Sequence, residues 1–176
     1  MTPIRLLYMY FPEKLFMWLL FFILVAMADI RYVKNKYVEQ KNKKIICQGL
    51  LIFYLLLILF FTIFCRIPTT DPRYKVTFLW SVKEYLKTQN TKIIMELICN
   101  VLMFLPIGFL LLGSEIFSKV VSVVGCSFLF SAFIECMQLF FHKGVFEFDD
   151  MLTNTIGGLI GGIIFIKWMR MRMKQR

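Results

Sequence analysis

Three acids and three amides in this chain fall into pairs: Glu96 with Asn100, Glu135 with Gln138, and Asp150 with Asn154. The pairs are spaced i,i+4, i,i+3 and i,i+4, so the members of each share one face of a helix. All three sit inside an apolar run or at its lip, where hydrocarbon offers no hydrogen bonds. The faces are therefore expected to turn toward one another or toward a water-filled cavity. Two kinds of chemistry are open to such a convergence. The carboxyls and amides can hold the polar head of an amphiphile. Alternatively, two carboxyls in a dry setting, Glu135 and Asp150, can act as acid and base, because burial and mutual repulsion raise carboxyl pKa values. Asp149 either joins the cluster or, like Asp150, caps the helix that follows. Asn100, Gln138 and Asn154 can also serve as interhelical glue. Glu135 lies deepest, about seven residues below the lip of its run, where an idle carboxyl is disfavoured by a few kcal/mol.

The elements that must position these residues are membrane helices. Hydrophobic residues make up 59% of the chain, 20 of them phenylalanine, and the mean hydropathy is +0.71, which excludes a soluble domain. Apolar runs cover residues 15–28, 45–65, 93–112, 120–141 and 151–169. The expected fold is an all-α polytopic transmembrane bundle of about five spans. Its parts are an N-terminal anchor helix with a basic loop (1–44), a transmembrane helical domain (45–169) and a basic tail (170–176). The first run is short, and Ala26-Met27-Ala28 mimics a signal-cleavage site. The basic segment that follows argues instead for an uncleaved anchor. Lys and Arg crowd the helix ends in the first loop and in the tail, which predicts an N-terminus outside and a C-terminus in the cytoplasm. In that topology the three polar pairs lie at one depth, within roughly 10 Å of the outer surface at ~1.5 Å per residue.

The formal net charge of +10 lies between and after the apolar runs, so it reads as membrane-flanking anchors and not as a nucleic-acid surface. His142, Glu147, Asp149 and Asp150 match no closed metal site, and no nucleotide-binding loop is present; neither metal nor cofactor is expected. Cys47, Cys65, Cys99, Cys126 and Cys136 all fall in apolar runs without metal-ligand spacing and are expected to be buried thiols. Gly157/Gly161 and Gly158/Gly162 form two overlapping small-residue seams that permit close helix packing and could also join copies of the chain. Pro106 with Gly108 predicts a kink in the third apolar run, below Asn100.

The motifs "NVLMFLPIGFLL" from Asn100, "ECMQ" from Glu135 and "FDDMLTNTIGG" from Phe148 resemble the VanZ-like membrane proteins in order and in spacing. The resemblance covers about residues 50–165 and rests on Asn-x3-Phe-x-Pro-x-Gly, Glu-x2-Gln and Asp-x3-Asn-x2-Gly. Many members place an arginine in the loop before the aspartate, where this chain has Lys143-Gly144, and an aspartate where Glu147 stands. The resemblance implies a small polytopic membrane protein, linked in some relatives to lower susceptibility to lipid-tailed glycopeptides such as teicoplanin. It supplies no settled reaction.

Together these features point to an outward-facing polar pocket formed by Glu96, Asn100, Glu135, Gln138, Asp149, Asp150 and Asn154. Its ligand would be a membrane lipid, a lipid-linked cell-wall precursor or a lipoglycopeptide. Arg66, Arg73, Lys75 and Trp80 are placed to meet an anionic head group at the interface. The alternatives are an intramembrane enzyme using Glu135 or Asp150, and a small lipid transporter.

Overall fold

The computed structural model describes residues 40–64 and 73–174. The first apolar run with its anchor or signal character, most of the basic first loop, Cys65 and Arg66 lie outside the described residues. Within them the order is α1 (Gln40–Leu59), a π-helical turn (Phe60–Phe64), β1 (Arg73–Lys75), α2 (Trp80–Thr88), α3 (Thr91–Gly113), α4 (Val120–Phe140), β2 (Val145–Glu147) and α5 (Phe148–Lys174). Four helices among the described residues are long and apolar enough to cross a membrane: Lys44–Ile63, Thr91–Gly113, Val120–Phe140 and Phe148–Met171. At ~1.5 Å per residue each spans a hydrocarbon core of about 30 Å. The expected all-α membrane bundle is the architecture found.

The packing is organised by glycine. α5 presents Gly157 and Gly161 to α3, where an added Cβ would strike the backbone carbonyls of Val101 and Leu105. About a quarter-turn around the same helix, a Cβ on Gly158 would strike the Ser127 side chain of α4. Gly108 of α3 completes the first seam, because a Cβ there would run into the carbonyl of Gly158 and lie 2.9 Å from the Gly162 nitrogen. Without side chains between them the backbones approach closely, and dispersion replaces the hydrophobic drive that lipid cannot supply. Gly157, Gly158, Gly161 and Gly162 are all buried within the chain. The seams considered as contacts between copies are thus filled by α3 and α4 of the same chain.

Gly108 accordingly serves contact with α5. The helix is assigned without a break from Thr91 to Gly113, with Pro106 inside it. Tyr54 of α1 donates its hydroxyl to the Met103 carbonyl at 2.9 Å, one turn from Pro106. The core around it holds Ile58, Phe104, Ile107, Val123 and Ile134.

No disulfide joins the described cysteines. Cys99 is buried as expected, Cys47 and Cys126 are half-buried, and Cys136 is exposed, on the outer side of α4.

At one end of the bundle the two loops meet. β1 and β2 pair in parallel with Arg73 opposite Val145, Tyr74 opposite Phe146 and Lys75 opposite Glu147. This end is called the loop end below. At the other end Gln48 of α1 donates to the Ser114 carbonyl at 3.3 Å, beyond the last turn of α3, and Lys44 pairs with Glu115 at 3.7 Å.

Candidate functional site

Below the loop end, α4 and α5 run antiparallel with polar residues facing each other. Asn154 donates its side-chain amide to Ser131 Oγ at 2.7 Å, and Ser127, one turn further along, meets Gly158. Each step of four residues on one helix is matched by four on the other. The same register places Glu135 on the level of Asp150. Ser127, Ser131, Glu135 and Gln138 are all at most 3% exposed and form one stripe on α4 at i,i+4 and i+3 intervals. The seam runs from the loop end to mid-helix. Sequence reasoning missed Ser127 and Ser131, although their four-residue spacing from Glu135 carried the signal.

Much of the bonding in this seam is spent on tying the loops to the bundle. Glu135 accepts the backbone N–H of Glu147 through Oε2 at 3.0 Å, anchoring β2. Gln138 donates to the Thr62 carbonyl in the π turn at 3.3 Å. Thr62 lies in the last turn of that helical segment, where carbonyls have no partner within the helix.

Asp149 has a role that sequence spacing does not reveal. Its Oδ1 accepts from Leu79 N–H at 2.8 Å and its Oδ2 from Ser81 N–H at 2.7 Å. Leu79 is the N-cap of α2, holds a left-handed backbone (φ 54°) and has no side-chain cap of its own. The carboxylate of Asp149 supplies that cap from another helix, satisfying amides that α2 leaves open and lying at the positive end of its dipole. Asp149 thus caps a different helix from the one its sequence position suggests.

Above the seam lies a charged rim. Lys75 pairs with Glu147 at 3.1 Å, and its ammonium sits 3.4 Å from the centroid of the Trp80 ring, a cation–π contact. Asp150 is half-buried beside this rim. Burial, reinforced by Asp150 and more weakly by Glu96, pushes the Glu147 carboxyl above its ordinary 4.5, while Lys75 pulls it back. The folded protein therefore holds that proton more tightly than the unfolded chain does. Stability is gained as pH falls from neutral toward 4.5 and is lost as pH rises through the folded-state value. Glu147→Gln should consequently be stabilising at neutral pH, with the advantage shrinking as the medium is acidified. Melting temperatures of both proteins across that range check this; an advantage that grows on acidification has the wrong sign.

The seven residues expected at the site separate into three groups. Asn100, Glu135, Gln138, Asp149 and Asn154 are buried, none more than 4% exposed. Asp150 stands at the rim. Glu96 is exposed and does not turn inward with the others, since it lies in the second turn of α3, near enough to the helix end to reach water. Lys75 and Trp80 lie at the rim, whereas Arg66 is outside the described residues and nothing is described of the Arg73 side chain. No cluster of three His, Cys, Asp or Glu suited to a metal occurs among the described residues. An open groove of about 540 Å³ is lined by Phe117, Ser122, Gly125, Cys126, Leu129 and Phe130 and shares no residue with the polar seam.

No curated protein and no solved structure matches the chain. The profile of one family, described as VanZ/LLP1, matches residues 51–170. That stretch holds α3, α4, most of α5 and both loops of the rim, and it shows that the chain belongs to the VanZ/LLP1 family of membrane proteins.

Proposed function

We propose that this protein is a multi-pass protein of the bacterial plasma membrane that binds an amphiphile at the loop end. The candidate ligands are a cell-envelope lipid, a lipid-linked wall precursor or a lipid-tailed glycopeptide such as teicoplanin, and binding would lower susceptibility to the last. The observation that carries this reading is the rim of Lys75, Glu147, Trp80 and Asp150 above the buried seam. It sets charge and an aromatic face beside apolar helix surface, where the head and tail of an amphiphile meet. Glu135 holds the loop that bears Glu147 through one carboxylate oxygen, and this reading assigns its negative charge, level with Asp150, to the ligand. A second reading, acid/base chemistry on a lipid-linked substrate, is favoured by the register that sets Glu135 level with Asp150.

Glu135→Gln tests the reading. The amide oxygen still accepts the Glu147 N–H, so the protein should stay folded with nearly unchanged thermal stability in detergent. Cells expressing it should lose protection against teicoplanin, with vancomycin, which lacks the lipid tail, as comparator. Full protection at normal stability overturns the role of the carboxyl. Incubating purified protein with lipid-linked precursors then separates binding from turnover.

The sidedness is tested separately. With the N-terminus outside, Lys143→Cys in a cysteine-free background is labelled by an impermeant thiol reagent on intact cells and Lys174→Cys is not. The reverse pattern places the rim on the cytoplasmic face.

A further inference from the structure

Helix α2 lies outside the four spans, yet both of its ends are fixed to them. Its first turn is held by Asp149, in the first turn of α5. Its last residue, Thr88, is followed by only Gln89 and Asn90 before α3 begins at Thr91. Asn90 caps α3 by accepting from Lys92 N–H at 3.1 Å. A nine-residue helix is about 14 Å long, so one pinned at each end to the start of a membrane span must lie along the level of the membrane surface.

Its faces are sorted accordingly. Ser81 is buried and Glu84 and Tyr85 are half-buried against the bundle. Val82 and Leu86, one turn apart, are 37% and 66% exposed, and the turn ahead adds Phe78 at 57% and Leu79 at 42%. Lys83 and Lys87, also one turn apart, are exposed on the neighbouring stripe. So much contiguous apolar surface is costly in water. It continues toward Met95 and Ile98, which α3 also leaves open on its surface.

We propose that α2 is an interfacial helix. Val82, Leu86, Phe78 and Leu79 enter the boundary between head groups and acyl chains, and Lys83 and Lys87 reach the phosphates of anionic lipids. An apolar stripe beside a lysine stripe on a helix held flat at the surface is the arrangement that such a boundary selects. The occupant of this face is the surrounding bilayer itself, by continuity with the lipid-facing side of α3 and by charge complementarity with anionic head groups. Because Asp149 joins α2 to α5, the lipid surface and the rim at Lys75 and Trp80 are mechanically linked.

The test uses the full chain, cysteine-free, in nanodiscs of phosphatidylcholine and phosphatidylglycerol. Val82→Cys, Leu86→Cys, Lys87→Cys and Ile98→Cys each carry an environment-sensitive fluorophore. The expected result is blue-shifted emission at positions 82, 86 and 98, quenched by lipids brominated near the carbonyl end of the acyl chain, with weaker quenching at 87. Omitting phosphatidylglycerol should weaken quenching at 86, and Lys83→Gln with Lys87→Gln should abolish that dependence. Water-like emission and iodide quenching at 82 and 86, with lipid quenching intact at 98, overturn the proposal and leave the face to solvent or to a protein partner. Quenching at 86 indifferent to the anionic lipid overturns the part assigned to the lysines.

Discussion

Gly161→Leu should yield no assembled bundle. Even the first carbon of the new side chain would sit on the Leu105 carbonyl and 2.9 Å from the Phe109 nitrogen. Both obstacles are helix backbone, so no rotamer relieves the clash and α5 must leave α3. Gly161→Ala is the graded version, with a loss of about 1–3 kcal/mol or more from overpacking. Gly125 is the control. Nothing lies within 4 Å of a Cβ there, so Gly125→Ala should be neutral or stabilising by up to about 1 kcal/mol through helix propensity. Fluorescence-detected size-exclusion chromatography and melting in detergent report all three variants. A monodisperse, normally melting Gly161→Leu protein would mean that the α3–α5 seam is not the close contact described.

Asp149→Ala should cost about 2–4 kcal/mol, the range for removing a charged acceptor from two backbone amides at a helix N-terminus. The site is almost fully buried, with Asp149 at 4% exposure and Ser81 at 3%, so water does not readily replace the lost acceptor. Asp149→Asn keeps one good acceptor oxygen and should fall between wild type and alanine. Hydrogen exchange gives the sharper reading. The amides of Leu79 and Ser81 should both lose protection in the alanine variant and one of them in the asparagine variant, while amides in the core of α4 keep theirs. If protection at Leu79 and Ser81 is unchanged, Asp149 is not the cap of α2, and the surface helix is held by other contacts.

These two cases mark what was legible in the sequence. Apolar runs of about twenty residues dictate membrane helices because hydrocarbon leaves the backbone no partner but itself, and α3, α4 and α5 lie where those runs are. The glycine seams were equally legible, since a small residue every fourth position makes a groove on any helix. The inward turn of Asn100, Glu135, Gln138 and Asn154 follows from the cost of exposing amides and acids to lipid, and each is at most 3% exposed. Glu96 escapes that rule by its nearness to a helix end.

Partnership was left open by these one-helix arguments, because periodicity states which face a residue occupies and not what stands opposite. Gly157 and Gly158 could equally have joined two copies of the chain; tertiary packing assigns one to α3 and the other to α4. Ser127 and Ser131 look like ordinary small residues until α5 brings Gly158 and Asn154 against them. Asp149 precedes an apolar run and so looks like that helix's own cap, yet its carboxylate closes a helix some seventy residues earlier in the chain, |i−j| being 70 and 68 for the two bonds. Hydrophobicity and helical period are local properties that a sequence carries position by position. The cap on α2, the clip between Lys75 and Glu147 and the register of Glu135 with Asp150 depend on how separate helices close on one another, and only the folded bundle sets those distances.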